Sequence, residues 1–172
     1  MKQSPALSVT WISLRVLIVL NWILGGLVLA LLAATFQAEE WTWRALGVGA
    51  VAGQAAIVAG MRTIMVIGIA AVPIAYVVLK ELSRIVESVR DGDPFSAGNA
   101  ARLRTIAWAL LGLELLHLVV IAIALAVSTR EVPLHLDGGV TVTGWLAVML
   151  LFVLAQVFRE GTRLRDDLEG TV

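Results

Sequence analysis

Between two apolar runs the chain reads Arg90-Asp91-Gly92-Asp93-Pro94-Phe95-Ser96-Ala97-Gly98-Asn99-Ala100-Ala101-Arg102-Leu103-Arg104. The apolar run before this stretch ends at Leu79 and the next one begins at Ile106. Gly92 follows a helical pattern and is a typical helix stop, and Pro94 forbids continuation of that helix. Ser96 or Asn99 can cap the helix that follows. The stretch therefore predicts a polar turn between two helices at a membrane surface.

Two arginines of this stretch, Arg102 and Arg104, fall near the N-terminus of the following helix. The helix dipole disfavours cations there, so an acidic group should offset them. That group is a lipid phosphate, the carboxylates of Asp91 and Asp93, or a partner. A basic membrane-flanking loop in contact with anionic lipid and a protein-binding surface therefore both remain open.

The composition is that of an integral membrane protein. The 172 residues are 59% hydrophobic and 15% charged, and the mean hydropathy is +0.91, which is more apolar than a soluble core requires. The absence of cysteine excludes disulfides, thiolate metal sites and thiol nucleophiles. No hydrolytic arrangement and no phosphate-binding glycine loop is found in the sequence. We therefore expect no enzymatic activity, no cofactor and no direct binding of nucleic acid.

Four apolar runs predict transmembrane spans within one domain covering residues 1–172, since roughly 20 residues cross a bilayer as a helix. The spans are about residues 12–36, 63–79, 106–127 and 144–158. Residues 45–61 are either an interfacial segment or the first turns of a long second helix. An apolar stripe predicts that this second helix extends beyond the membrane to Arg90.

A β-hairpin is predicted over residues 132–143, because apolar and polar residues alternate around Asp137-Gly138-Gly139. The expected fold is thus an all-α, integral membrane four-helix bundle with a small extracytoplasmic β-hairpin.

The distribution of lysine and arginine predicts the orientation, with both termini on the inner, cytoplasmic side of the membrane. Three of these residues then face outward: Arg44, Arg62 and Arg130. The other ten face inward: Lys2, Arg15, Lys80, Arg84, Arg90, Arg102, Arg104, Arg159, Arg163 and Arg165.

Three polar residues are expected inside the membrane: Asn21, Glu114 and His117. Glu114 and His117 are three residues apart and share one helix face. A charge there is costly, so the pair should face the interior of the bundle. The residues form either a structural hydrogen bond from Asn21 to a protonated Glu114, or a proton-linked or ligand-sensing site. A metal site is disfavoured, because bundle di-iron sites need further acidic residues.

The motifs Gly92-Asp93-Pro94-Phe95 and Asn99-Ala100-x-Arg102-Leu103-Arg104-x-Ile106 resemble a bacterial family of four-helix membrane proteins catalogued as domain of unknown function 2975. Residues 157–172 are similar to the C-terminus of that family. The resemblance implies no established reaction. It implies that such proteins are often encoded beside a very small helix-turn-helix regulator, which is an association and not a mechanism.

The leading hypothesis is a membrane regulatory partner. An inner platform, made of the extension of the second helix, the turn over residues 92–99 and the C-terminal tail, would bind a small cytosolic helix-turn-helix regulator. The expected partner-binding residues are Asp91, Asp93, Phe95, Asn99, Arg102, Arg104, Arg163 and Arg165. Charge reversal at Arg102 and Arg104 is expected to abolish capture without unfolding the bundle.

The alternative hypothesis is a small transporter or channel with a polar path near Glu114 and His117. The third hypothesis is a homo-oligomeric structural scaffold.

Overall fold

Four long helices make up the part of the chain that the computed structural model describes, namely residues 5–37, 54–92, 96–128 and 142–169. They are α1 (Pro5–Gln37), α2 (Gln54–Arg90), α3 (Ala97–Val127) and α4 (Val142–Glu169). Each is long and apolar enough to cross a membrane. Every predicted span lies inside one of these helices, so the prediction of a polytopic, helical membrane protein is confirmed.

The second helix is much longer than its predicted span. It begins at Gln54, so residues 54–61 are its first turns and not an interfacial segment, while residues 45–53 lie outside the described residues. Its 37 residues extend over about 55 Å, nearly twice the thickness of a hydrocarbon core. Pro73 lies inside the helix without ending it. The helix runs to Arg90, as the apolar stripe predicts, and Arg84 pairs with Glu81 there at 2.7 Å.

The predicted β-hairpin is not supported. Val142 and Thr143, which the alternation placed in its second strand, belong to the first turn of α4. Residues 132–141 lie outside the described residues, and the described ranges contain no strand. Two residues, one apolar and one polar, fit the two-residue period of a strand and the 3.6-residue period of a helix equally well. So short a pattern therefore cannot distinguish the start of a helix from the end of a strand.

The helices pack in chain order. α1 packs on α2, α2 on α3, and α3 on α4, and the remaining pairs of these four helices make at most marginal contact. The prediction of a compact bundle is therefore corrected to a row of helices with α1 and α4 at its edges. Large apolar side chains such as Leu24, Leu27, Met149 and Leu150 are exposed on the two edge helices. Lipid is as apolar as these side chains, so the hydrophobic effect does not close the row.

Contact between α1 and α2 is close at one glycine. A side chain at Gly25 would lie 2.8 Å from the nearest methyl of Val72, whereas Gly26 has open space around it. Of these two adjacent glycines, Gly25 alone therefore lies at the close approach of α1 to α2. The rings of Trp22 and Tyr76 lie beside this contact, with centroids 5.8 Å apart.

One end of the α1–α2 pair is fixed by Arg62. Its guanidinium donates to the backbone oxygen of Thr35 at 2.6 Å and to the hydroxyl of Thr35 at 3.3 Å. It also lies 4.1 Å from the ring centroid of Phe36. Cations suit the C-terminal end of a helix, where carbonyl groups lack partners, so Arg62 stabilises the last turn of α1.

The turn from α2 to α3 follows the sequence signals. Gly92 has a φ of +88°, the left-handed conformation that glycine adopts without strain. The amide of Gly92 donates to Val89 O at 3.2 Å and the amide of Asp91 to Glu87 O at 3.0 Å, as expected for a glycine-terminated helix. Ser96 occupies the N-cap position of α3, although its side chain makes no capping hydrogen bond.

Candidate functional site

Most of the cationic side chains in the described ranges lie at one end of the row, where α2 and α4 finish and α3 begins. We call it the basic end, and it carries Arg15, Lys80, Arg84, Arg90, Arg102, Arg104, Arg159 and Arg163. Of the lysine and arginine side chains that the structure describes, only Arg62 lies at the opposite end. The predicted partner-binding residues of known position are all at the basic end.

A buried polar network joins α2 to α3 at the basic end. Asn99 is 0% exposed, and its amide nitrogen donates to the hydroxyl of Ser88. That hydroxyl donates to Ile85 O at 3.0 Å. The amide oxygen of Asn99 accepts a hydrogen bond from Arg102 Nη1 at 2.8 Å, and Arg102 Nη1 also lies 3.4 Å from Arg84 O.

The network changes the interpretation of two predicted residues. Asn99 is enclosed between helices, so its side chain neither caps α3 nor reaches the surface. Arg102 is half-buried and bonded to Asn99 and to the backbone of α2. Buried polar groups that are fully paired fix one arrangement of the elements they join. The geometry therefore assigns Asn99 and Arg102 to the positioning of α3 on α2.

A groove of about 950 Å³ runs between α3 and α4 at the basic end. One end of this arginine groove is formed by Trp108 and Phe152, whose rings meet edge to face with centroids 5.2 Å apart. Small side chains and three arginines form the rest. The lining residues are Ala97, Ala100, Ala101, Arg104, Thr105, Trp108, Phe152, Ala155, Arg159, Thr162 and Arg163.

The arginine groove carries positive charge that no acidic side chain in its described lining neutralises. Arg104, Arg159 and Arg163 are exposed, and no aspartate or glutamate is among the lining residues of the described chain. Arg159 donates to the side-chain oxygen of Gln156. Within the described ranges, neither Arg104 nor Arg163 has an ion pair with a carboxylate. Each guanidinium carries five N–H donors that suit phosphate or carboxylate oxygens, so the groove can bind an anion.

The structure thus brings together Arg104 and Arg163 from the predicted set and adds Arg159, which the sequence analysis missed. A signal was present, because Arg159 precedes Arg163 by four residues and so shares its face of α4.

The other predicted partner-binding residues are less defined. Asp91 is exposed on the turn after α2. Asp93 and Phe95 lie outside the described residues. Arg165 belongs to α4, but its side chain is not among those described.

The three predicted intramembrane polar residues do not form one cluster. Asn21 donates to Val72 O at 3.1 Å, on the helix next to its own. The predicted hydrogen bond from Asn21 to Glu114 is therefore wrong, since α2 lies between α1 and α3. Glu114 and His117 are half-exposed on α3, and the described ranges contain no cluster of potential metal ligands.

The Glu114 carboxylate lies directly against Gly144 in the first turn of α4, where a larger residue would clash with it. The Glu114 side chain therefore points towards α4. Asn21 on α1 is thus separated by α2 from Glu114 and His117, which both lie on α3.

Comparison with known proteins extends the resemblance found in the motifs. A family model matches residues 41–172, a range that contains α2, α3, α4 and the turn before α3, while α1 precedes it. No curated protein matches the chain, and no solved structure does. The match covers most of the 172 residues. The chain belongs to the family described as Protein of unknown function (DUF2975).

Proposed function

We propose that the protein is a membrane regulatory partner that binds a small cytosolic helix-turn-helix regulator through its basic end. One observation carries the proposal: the arginine groove presents Arg104, Arg159 and Arg163 with no acidic residue among its described lining. The kind of partner comes from the association that the family resemblance implies. In this proposal the spans lie in the bacterial inner membrane, and both termini and the basic end are cytoplasmic, as the excess of inward arginine and lysine favours.

The floor of the groove suits a protein segment. Ala97, Ala100, Ala101 and Ala155 have short side chains, so the backbone of a bound helix or strand can approach α3 and α4 closely. Exposed ion pairs contribute only about 0.2–1 kcal/mol each. Three arginines therefore supply orientation and selectivity for an acidic segment, and contact with the alanine floor supplies the rest of the binding energy.

The groove contains binding groups and not reactive ones. The arginine side chains offer five N–H donors each and no acceptor atom. The hydroxyls of Thr105 and Thr162 donate to carbonyl groups of their own helices, at 3.1 Å and 2.8 Å. We therefore propose binding without catalysis as the activity of this site.

The test measures capture of a purified helix-turn-helix regulator from the same host by the full chain in gentle detergent. Arg104→Glu combined with Arg163→Glu is expected to abolish capture, because both reversed charges repel an acidic segment. Arg15→Glu is the matched control, since Arg15 is exposed at the basic end but lies on α1 beside Trp11. Capture that survives the double reversal would refute the proposal.

The variants must also fold. Thermal unfolding, monitored by size-exclusion chromatography of heated samples, should give the same midpoint temperature for the wild type, the double reversal and Arg15→Glu. The groove arginines are exposed, so their reversal leaves the helix contacts in place. Arg102 is unsuitable for this test, because its side chain belongs to the α2–α3 network.

A further inference from the structure

We propose that the aromatic end of the arginine groove binds the phosphate headgroup of an anionic phospholipid, with an acyl chain lying along Trp108 and Phe152. The inference concerns the same groove as the proposed function but does not depend on it. It rests on where the groove lies relative to the apolar parts of α3 and α4, and on the order in which its side chains follow one another.

The groove crosses the level at which the apolar runs end. Trp108 and Phe152 lie inside the runs of residues 106–127 and 144–158. Arg104 lies two residues before the first run, and Arg159 directly follows the second. In a bilayer this level is the boundary between hydrocarbon and headgroups, where tryptophan is also enriched. The aromatic pair is thus at acyl-chain depth and the two arginines are at phosphate depth.

Lipid has direct access to this part of the groove. Trp108 is 56% exposed, although it is packed against Phe152. A cytosolic protein would have to enter the headgroup layer to reach the same surface, whereas a phospholipid is already there. Basic pockets between transmembrane helices are known to suit anionic headgroups. Phosphate oxygens can accept hydrogen bonds from both guanidinium groups, which lie on opposite walls of the groove.

Arg163 lies further from the membrane. It follows Arg159 by four residues along α4, which is about 6 Å. The lipid site therefore depends on Arg104 and Arg159, whereas the regulator proposed above would engage these two and Arg163. The two ligands share Arg104 and Arg159 and should compete for them, so the lipid composition of the membrane would regulate capture.

The experiment places the full chain in phosphatidylcholine vesicles with a rising fraction of phosphatidylglycerol that carries brominated acyl chains. Bromine quenches tryptophan fluorescence on contact. The chain has six tryptophans, so the Trp108 signal is the difference between the wild type and Trp108→Phe. The substituted phenylalanine keeps an aromatic ring beside Phe152. Brominated phosphatidylcholine in unlabelled phosphatidylglycerol provides the reverse measurement.

Phosphatidylglycerol should be preferred at Trp108 by about 25-fold, because each of Arg104 and Arg159 near the surface contributes roughly fivefold. Arg104→Gln combined with Arg159→Gln should reduce the preference for phosphatidylglycerol over phosphatidylcholine to about twofold or less. Arg15→Gln should leave it unchanged, because Arg15 lies at the same end but on the other edge helix. Arg163→Gln should lower it much less than Arg159→Gln does.

Other results would overturn the inference. Equal quenching by both lipids in the wild type would mean that Trp108 contacts bulk lipid only. A preference that Arg15→Gln also removes would assign it to general surface charge. A preference removed by inorganic phosphate, but not by chloride at the same ionic strength, would show a site for the free ion. If the lipid preference is absent but the regulator is captured, the lipid site is refuted and the proposed function is not. If the lipid preference is present but the regulator is not captured, the proposed function is refuted and the lipid site is not.

Discussion

Replacement of Asn99 by alanine should destabilise the protein, because this side chain is the centre of the α2–α3 network. The side chain is fully buried, accepts from Arg102 at 2.8 Å and donates to Ser88. A hydrogen bond to a charged group contributes about 1.5–3 kcal/mol and a neutral one about 1 kcal/mol. Arg102 keeps its contact with Arg84 O, which limits the loss. We expect the free energy of unfolding to fall by about 2–4 kcal/mol.

Unfolding by sodium dodecyl sulfate in mixed micelles, followed by far-ultraviolet circular dichroism, measures this free energy. Ser88→Ala removes the hydroxyl that accepts from the Asn99 amide and should cost about 1 kcal/mol, the contribution of one neutral hydrogen bond. In the double variant the two losses should not add, and the coupling should be about 1 kcal/mol. Thr105→Ala is the control on the same helix, because its exposed hydroxyl bonds only to Ala101 O in its own turn.

Two results would refute the reasoning. Ordinary surface substitutions change the free energy of unfolding by up to about 0.5 kcal/mol. A change no larger than this for Asn99→Ala would show that the network does not hold α3 on α2. Additive losses for Ser88→Ala and Asn99→Ala would show that the two side chains act independently, contrary to their hydrogen bond.

Three further predictions concern single positions. Gly25→Leu should lower the free energy of unfolding by about 1–3 kcal/mol through overpacking, while Gly26→Leu, which has open space, should be tolerated in the same detergent titration. Gly92→Ala should cost about 1–2 kcal/mol, because a side chain disfavours its positive φ, whereas the unobstructed Gly161→Ala in α4 should gain up to about 1 kcal/mol in helix propensity. Glu114→Gln should leave solute uptake into proteoliposomes unchanged, and a loss of uptake would restore the transporter hypothesis.

The helices were predictable because their signals are local. Long apolar runs identify spans wherever they occur, and Gly92 with Pro94 identifies a turn without reference to the rest of the fold. The order of packing was not predictable in the same way. In lipid, the apolar faces of α1 and α4 have no solvent to avoid, so their sequences do not indicate whether a neighbouring helix or a lipid covers them.

The polar residues show the same limit. Asn21, Glu114 and His117 were recognisable as unusual inside a membrane, but their partners depend on which helices are neighbours. Because α2 lies between α1 and α3, Asn21 is one helix away from Glu114 and instead bonds to Val72 on α2. The groove could be anticipated in part, because Arg104 and Arg163 were singled out, although Arg159 was not.

The motif around Asn99 combines two roles that helical geometry keeps apart. Successive residues of a helix are about 100° apart, so Arg102 and Arg104 point about 160° from each other. Arg102 shares the face of Asn99 and turns towards α2, whereas Arg104 shares the face of Trp108 and turns towards α4. The network fixes α3 on one neighbour, and this leaves the groove between α3 and the other neighbour with a defined wall. A reversal of Arg102 would therefore impair binding through the position of α3, and a reversal of Arg104 would do so directly.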